Sequence, residues 1–529
     1  MKKFFLVICL LFLHVFAGAQ TPDWATGVAP ILYNHCTACH HDGGIAPFSL
    51  LTYDNAVLYA TQIQGDITIH KMPPWPPDPN YSHMAHERVL SATDINTIVN
   101  WVTGGTPQGD LALAPPMPVY SAHGMIIGTP DLIVKIPTYT STASTSDVYQ
   151  CFVLPSGLLS DRYITSFEAV PGNPACVHHV LVYSDTTGAC AALQSASTTP
   201  PGYPSFGGVG TNNVTLLGGW VPGSSPMSYP NNFGVKLSHG SDIVVQVHYP
   251  AGTVGMVDST EIHFFFTPIT DTPRNVTIEP LLFYEPPIID TTLFIAANTT
   301  RSFQEEVPAA FGLPDLTLLG VAPHMHLLGQ NIESYGILPS GDTDHYIRID
   351  KWDFHWQGFY MFPKLKKIPA GTRIRAEAYY DNTASNPSNP NSPPRNVAAG
   401  EQTTDEMMLV FLVYTPYQAG DENIIVDSAV LLGTPQQFNN YYHGQQLLDV
   451  CPNPTVKDLI VKCFLESPDL GTITFTDITG REVRRFMDNG KMPAGYSTYT
   501  YTVTGLPPGV YTLTLKTSQR LLTQKVVVQ

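Results

Sequence analysis

The chain has 529 residues, which is too long for one core, so three or four domains of ~100–200 residues each are expected. Charged residues make up only 13% of the sequence, and the 41 glycines and 47 prolines favour turn-rich β-sandwiches over long salt-bridged helices. The formal net charge of -17 argues against nucleic acid or an anionic membrane surface as a partner. The composition therefore predicts a mainly β, multidomain protein.

Residues 1–19 have the layout of a secretory signal peptide. Lys2 and Lys3 precede an apolar run, and Ala17-Gly18-Ala19 forms the expected cleavage site before Gln20. This run is too short to span a membrane, and no later segment is long and apolar enough to do so. We therefore predict export to the periplasm and then to the cell surface or the medium, without a transmembrane segment.

A small α-helical domain is predicted over residues 22–112. Its clearest pattern lies at residues 92–102, where four apolar side chains share one face and Thr93-Asp94 is a plausible cap: Ile95, Ile98, Val99 and Val102. The segment that follows, residues 109–118, contains three prolines and is short and fairly stiff. It could hold this domain against the sandwich that comes next.

Cys36-Thr37-Ala38-Cys39-His40 has the spacing of a c-type haem attachment site. In such a site both thiols add to the porphyrin vinyl groups and the adjacent imidazole binds the iron. A thioredoxin-like redox pair is the alternative, but it does not require His40, and no βαβ pattern surrounds the motif. The sequence therefore predicts a cytochrome c-like domain with one covalently bound haem.

Met72 is the preferred sixth ligand of the haem iron, because Pro73 and Pro74 restrict the backbone that aims its thioether. A methionine ligand raises the haem potential relative to two histidines, which suits an electron relay. Four other side chains remain alternatives: His70, His83, Met84 and His86.

From about residue 113 to residue 432 the pattern changes to short alternating runs, such as 242–249 and 373–380, separated by Gly, Pro and Asn clusters. We predict two β-sandwich domains, residues 113–268 and 269–432. The Asn-, Ser- and Pro-rich stretch at 382–395 fits a disordered linker and a long ordered loop equally well.

Histidines recur in this β-rich region at spacings that suit metal binding. His178-His179 and His248 lie in runs of β character, and three imidazoles suit a copper ion. His324 and His326 stand at i and i+2, which on a strand face the same way. Asp405-Glu406-Met407-Met408 then precedes an apolar strand, and a thioether favours Cu(I). Each motif alone is weak evidence for a metal site, since adjacent histidines on a regular strand point to opposite faces. Together the motifs suggest two unlike coppers.

The ordered set, with Trp220 and Gln246-Val247-His248-Tyr249, resembles the copper type II, ascorbate-dependent monooxygenases over about residues 147–415. This is the group of peptidylglycine α-hydroxylating monooxygenase and dopamine β-monooxygenase. The resemblance implies two antiparallel jelly-roll domains with the coppers across a solvent-filled cleft. It assigns His178, His179 and His248 to an electron-transfer copper. It assigns His324, His326 and Met407 to the copper where dioxygen and substrate meet, with Met408 pointing away. It also implies a disulfide between Cys151 and Cys190, with Cys176 unpaired.

Two departures from the family bear on the substrate. Where the peptide-amidating members carry an Arg and a Tyr that bind the substrate carboxylate, this chain has Ala322 and Phe411. Without a cation and a hydroxyl there, we expect a less polar small organic substrate whose C–H bond is hydroxylated with dioxygen. The two electrons would come through the fused haem from an unknown donor. The alternatives are a non-enzymatic haem and copper electron carrier and a surface binding protein that has lost its metals.

Residues 449–529 form a last unit of short strands, predicted to be a small β-sandwich. It resembles the C-terminal sorting domain of the type IX secretion route in three segments: Pro452-Asn453-Pro454, Asp477-Ile478-Thr479-Gly480-Arg481 and Gly509-Val510-Tyr511. The resemblance implies the type IX secretion machinery as a partner, and an ordinary accessory β-domain is the alternative. Cys451 stands where the family usually has a tyrosine, and it could close a small disulfide loop with Cys463.

Overall fold

The computed structural model describes residues 21–529 except 119, 121–125, 127–128, 207, 223, 269–270, 284–290, 308–311, 401, 428–447, 452, 466–468, 494 and 519–520. Strands account for 42% of the described residues and helices for 12%, which confirms the predicted mainly β class. The chain divides into two compact units, one within Met1–Pro73 and Arg88–Pro118 and the other comprising Pro74–Glu87 and Val119–Gln529. The predicted signal peptide lies outside the described residues.

The first unit is helical. Its elements are a π-helical turn at Trp24–Val28, α1 (Ala29–His35), α2 (Tyr53–Leu58), α3 (Ala60–Thr68), α4 (Ala92–Thr103) and a 3-10 turn at Leu111–Leu113. The helix predicted near residues 92–102 is confirmed as α4, but its N-cap is Ser91 rather than Thr93-Asp94. The Ser91 hydroxyl accepts the Asp94 N–H, and the Asp94 carboxylate accepts the Ser91 N–H, so two otherwise orphaned donors are satisfied. Ile98 and Trp101 of α4 are fully buried in the core of this unit.

The second unit begins, after residues 74–87, with a β-sandwich. Its elements are β1 (Leu132–Lys135), β2 (Tyr139–Thr140), β3 (Val148–Pro155), β4 (Arg162–Val170), β5 (His179–Asp185), α5 (Ala189–Ala196), β6 (Tyr203–Pro204), β7 (Val214–Trp220), β8 (Met227–Ser228), β9 (Phe233–Leu237), β10 (Asp242–Tyr249), β11 (Val257–Asp258), β12 (Glu261–Phe266) and β13 (Arg274–Asn275). One sheet has the order β1-β12-β4-β9-β13, with β8 paired to β4, and the other has the order β6-β3-β10-β5-β7. Apolar residues from both sheets form one core between them.

A second sandwich follows. Its strands are β14 (Thr277–Phe283), β15 (Phe294–Ile295), β16 (Thr300–Val307), β17 (Leu316–Met325), β18 (Gly329–Ile337), β19 (Thr343–Ile349), β20 (Tyr360–Ile368), β21 (Arg373–Asp381), β22 (Val397–Ala398) and β23 (Met408–Pro416). Its main sheets are antiparallel, with the orders β14-β23-β17-β20 and β16-β21-β18-β19. Residues 382–395 form an ordered loop, because the Asn382 side chain donates to the backbone oxygens of Ile295, Ala296 and Arg395.

Residues Pro74–Glu87 pack on this second sandwich. The Asp78 N–H donates to the Arg348 carbonyl at 2.8 Å, and the Ala85 N–H donates to the Met361 carbonyl at 2.7 Å. Trp75 meets Tyr360 edge to face, and Met84, only 1% exposed, belongs to the core of the sandwich. This segment, which we call the strap, is therefore an integral part of the second sandwich.

The C-terminal residues form two further sheets around their own core. The strands are β24 (Leu448–Cys451), β25 (Asp458–Leu465), β26 (Asp469–Thr476), β27 (Glu482–Met492), β28 (Gly495–Thr502), β29 (Gly509–Lys516) and β30 (Leu521–Val528). In the β24–β25 pair Cys463 lies opposite Leu448, whereas Cys451 lies opposite Ile460. In the described part of the chain, no helix is both long and apolar enough to cross a membrane.

Candidate metal centres

The first predicted histidine set comes together at one end of the β5–β10 pair. His248 on β10 lies directly opposite His179, the first residue of β5. His178 precedes β5, and its N–H donates to the His248 carbonyl at 2.9 Å. Because His178 is outside the strand, the alternation that would send adjacent rings to opposite faces does not apply to this pair.

The Nδ1 atoms of these three rings converge. Nδ1 of His179 is 3.2 Å from that of His178 and 3.4 Å from that of His248. Two nitrogens that are each ~2.0 Å from one ion at a tetrahedral angle are ~3.3 Å apart, so this spacing fits a bound metal. Among the described residues, these three form a group whose ligand atoms all lie within 4.8 Å of one another.

The charge state of the three rings also suits a metal. Burial lowers the pKa of His178 to about 3 and the pKa of His179 well below its ordinary value. Burial lowers the pKa of His248 as well, against the raising effect of Asp147. At neutral pH the rings are therefore neutral imidazoles, the form that binds metal ions.

Asp147 stands behind the first centre. Its carboxylate lies 3.3 Å from Nε2 of His248 and accepts hydrogen bonds from the Thr403 hydroxyl at 2.7 Å and the Ala251 N–H at 2.9 Å. Burial opposes ionisation of Asp147, but the adjacent His248 ring and the hydrogen bonds from Thr403 and Ala251 hold its pKa below the usual range. A carboxylate on the far nitrogen of a ligating imidazole fixes its orientation and tautomer.

The second histidine set lies at the end of β17. The His324 and His326 rings are 5.1 Å apart between centroids and nearly perpendicular. Nδ1 of His324 bonds the Gln357 side-chain oxygen, and Nδ1 of His326 bonds the Asp405 carbonyl at 3.1 Å. Because both oxygens are acceptors, each ring donates through Nδ1 and keeps Nε2 for a metal. Burial lowers the pKa of His324 to about 3 and that of His326 to about 4.

Glu406 ties the methionine segment to these histidines. Its carboxylate accepts the backbone N–H groups of His326 at 3.0 Å, Leu328 at 2.6 Å and Met407 at 3.1 Å. Burial raises the pKa of Glu406 to about 8, against the lowering effect of these donors. Met407 directly precedes β23 and is 6% exposed, whereas Met408 begins β23 and belongs to the core of the second sandwich.

Residues 299–428 match the family model for the copper type II ascorbate-dependent monooxygenase, C-terminal domain. This region is a copper type II monooxygenase domain. The matched region contains His324, His326 and Met407, the three residues predicted to bind the second copper. Residues 449–529 match the family model for the secretion system C-terminal sorting domain, which supports export to the cell surface or the medium.

Other comparisons add little to the family match. A β-glucuronidase of Parabacteroides merdae is 11% identical over 50% of this chain and 31% of its own, with a TM-score of 0.13. N-glycanase F is 9% identical over 54% of this chain and 97% of its own, with a TM-score of 0.24. The match spans less than a third of the glucuronidase, and at such TM-scores neither likeness bears on the function. Among curated proteins no significant match is found.

Cys151 and Cys190 are free thiols that lie in one buried cluster with Tyr203, so the disulfide that the resemblance implied is not formed in this structure. Cys176, expected to be unpaired, is also a buried free thiol.

The haem-attachment motif lies in the first unit, after α1. The N–H groups of Cys39 and His40 both donate to the Cys36 carbonyl, at 3.1 and 3.0 Å, so one tight turn holds the three side chains together. Nδ1 of His40 bonds the Phe48 carbonyl at 3.1 Å, which leaves Nε2 available to an iron ion. Both thiols are free and partly accessible.

The candidates for the sixth haem ligand fall into two groups. Met72, which is half-buried, and His70, which is exposed, share the unit of the haem motif. The other three lie in the strap: Met84 is in the core of the second sandwich, His83 pairs with Glu87, and His86 pairs with Asp427.

Sequence reasoning did not find the side chains that hold the candidate metal-binding histidines. Asp147 and Gln357 give no local signal, because their partners lie 101 and 33 residues away along the chain. Glu406 stood inside a motif that the sequence singled out, but its three backbone contacts depend on how β17 and β23 meet.

Proposed function

We propose that the chain is an exported copper monooxygenase that hydroxylates a C–H bond of a weakly polar small organic molecule, with one electron-transfer copper and one oxygen-binding copper. The observation that carries this proposal is the contrast between the two imidazole sets. One set turns three Nδ1 atoms inward, and the other reserves two Nε2 atoms on a segment that Glu406 ties to the backbone of Met407. Two chemically different sites suit one copper that relays electrons and another that meets dioxygen.

When bound, the copper pair supplies one-electron transfer and dioxygen activation. The overall reaction converts a C–H bond, dioxygen, two electrons and two protons into an alcohol and water. The protein's part is to keep the imidazoles neutral and oriented. Asp147 orients His248, Gln357 orients His324, and Glu406 joins the backbones of His326 and Met407.

The proposed substrate class is supported by two apolar positions on β17 and β23. Ala322 lies opposite Phe411 in the β17–β23 pair, and the Phe411 ring is 6.4 Å from that of Phe359. Apolar side chains therefore occupy the positions where the peptide-amidating relatives bind a carboxylate. This supports an aliphatic or benzylic substrate over a glycine-extended peptide.

A covalently bound c-type haem is proposed as the source of electrons. Cys36 and Cys39 supply the thiols and His40 the axial nitrogen, and Met72 is the proposed sixth ligand because it shares their unit. Replacing both cysteines by alanine should abolish haem that survives denaturing electrophoresis. Covalent haem retained in that double variant would contradict the assignment.

The enzymatic proposal is tested by oxygen uptake coupled to alcohol formation. Copper-loaded protein and ascorbate are mixed with a panel of aliphatic, benzylic and peptidyl substrates, and oxygen consumed is compared with product formed. Met407→Ala should abolish the coupled reaction, whereas Met408→Ala should retain it in the fraction that folds, because the Met408 side chain is buried in the core of the second sandwich. Electron transfer without a hydroxylated product from any substrate would favour the alternative, an electron carrier.

A further inference from the structure

The loop between β19 and β20 is fastened to both histidines of the second centre. Trp352 donates its indole N–H to the His326 carbonyl at 3.1 Å, and Gln357 bonds the ring of His324. The Gln357 side-chain N–H also donates to the Phe354 carbonyl at 2.8 Å. The position of Phe354 is therefore determined by the same contacts that orient the second centre.

Phe354 contacts one imidazole of each centre. Its ring stacks on His178, with a centroid distance of 5.0 Å and an interplanar angle of 20°. It meets His326 edge to face, with a centroid distance of 6.0 Å and an angle of 87°. Both distances lie within the range of direct aromatic contact. A continuous series of three packed rings thus joins a ligand of the first centre to a ligand of the second.

We propose that Phe354 is the positioning residue that couples the two copper centres electronically. Electronic coupling falls steeply with each gap between atoms, and it is stronger through packed atoms than across an open, solvent-filled gap. A chain of packed side chains also provides a physical connection between two sites. This inference rests on the proposed function, since it assumes that both histidine sets hold copper.

The step that Phe354 would serve is a one-electron transfer without bond changes. Cu(I) at the first centre is oxidised to Cu(II), Cu(II) at the second centre is reduced to Cu(I), and no proton or group moves. In the experiment below, ascorbate, an enediol reductant, takes the place of the proposed haem donor and supplies the electron that regenerates Cu(I) at the first centre. Phe354 itself is neither oxidised nor reduced.

The test uses the full-length protein with two Cu(II) ions per chain, mixed anaerobically with ascorbate and frozen at intervals. Electron paramagnetic resonance follows each Cu(II) signal, because three nitrogen ligands and a mixed nitrogen and sulfur set differ in hyperfine splitting. Phe354→Leu keeps an apolar side chain but removes the ring, and Phe354→Tyr keeps the ring. Trp356→Leu removes an aromatic ring from the same loop, and no ring contact joins Trp356 to either histidine set in the described part of the chain.

In Phe354→Leu we expect the first signal to decay as in the unaltered protein and the second to lag by at least tenfold, equivalent to about 1.4 kcal/mol in the barrier. Phe354→Tyr and Trp356→Leu should behave like the unaltered protein. Equal decay of both signals in Phe354→Leu, with two coppers retained, would overturn the proposal. So would failure of Phe354→Tyr to restore the rate. Because this readout involves neither dioxygen nor substrate, a protein that hydroxylates nothing would contradict the proposed function without affecting this result.

Discussion

At the scale of single residues, the two histidine sets differ in the nitrogen that each leaves for a metal. In the first set the Nδ1 atoms converge and Nε2 of His248 faces Asp147. In the second set the Nδ1 atoms are held by Gln357 and a backbone carbonyl. In each ring, the group that contacts the other nitrogen therefore determines which tautomer is present. It also determines which nitrogen is left to bind the metal.

Asp147→Ala should weaken copper binding at the first centre about 10–100-fold, because the carboxylate that orients His248 is lost. Titration against a competing chelator measures the copper affinity of each of the two centres. Thr403→Val, which removes only the hydroxyl that bonds Asp147, is the matched control and should have a smaller effect. An unchanged affinity in Asp147→Ala would show that His248 does not need this support.

Glu305 on β16 is fully buried, and neither carboxyl oxygen has a hydrogen-bond partner among the residues that the structure describes. Burial raises its pKa from an ordinary 4.5 to about 9. Between these values the folded chain binds a proton that the unfolded chain releases. The free energy of unfolding should therefore be greatest below pH 4.5 as far as Glu305 is concerned, and fall by at most about 1.4 kcal/mol per unit as pH rises towards 9.

Glu305→Gln should flatten this pH dependence, because an amide of the same shape cannot ionise. Thermal unfolding of the two proteins between pH 5 and pH 9 makes the comparison. Identical slopes would mean that Glu305 acquires a partner or solvent that keeps its pKa ordinary.

At the scale of elements, the strap lies between helices in the sequence, but its Met84 side chain is part of the core of the second β-sandwich. Met84→Ala should destabilise the second sandwich by about 2–5 kcal/mol, the usual result of truncating a buried methionine. It should leave the haem absorption spectrum unchanged. Met72→Ala should have the opposite profile, with an altered haem spectrum and little change in sandwich stability. A haem spectrum that responds to Met84→Ala would reverse our choice of sixth ligand.

At the scale of the whole molecule, the proposed haem and the proposed copper centres share one chain. Fusion raises the local concentration of an electron donor to ~mM for a short tether, so transfer need not wait for a diffusing partner. Whether the stretch at 109–118 holds the cytochrome-like domain against the first sandwich stays a prediction.

Pre-reduced haem should therefore be reoxidised when Cu(II) is bound, and His248→Ala should slow that step because it removes a ligand of the accepting centre. Stopped-flow absorbance of the haem band follows the reaction, with copper-free protein as the control. Haem oxidation that is indifferent to both changes would give the cytochrome-like domain a different role.

Much of the architecture could be predicted from the sequence because it depends on local periodicity. Runs of alternating apolar and polar residues predicted the strands β10 and β21, and an apolar helical face predicted α4. The position of the α4 cap was wrong, since the capping box pairs Ser91 with Asp94, three residues apart. The choice between a linker and a loop at 382–395 stayed open, because it depends on what the Asn382 side chain meets in the folded chain.

The sequence by itself determined the features that one strand or one turn can build. The i, i+2 spacing of His324 and His326 predicted that the two rings would lie together, and their centroids are 5.1 Å apart at the end of β17. The Cys36–His40 motif closes within one turn. Only the tertiary structure decided which partners meet these residues. His178 joins His248 through contacts 70 residues apart, Asp147 reaches Thr403 across 256 residues, and Phe354 lies between the two centres. Such contacts depend on how β-sheets and loops pack, and the local spacing of residue types does not predict that packing.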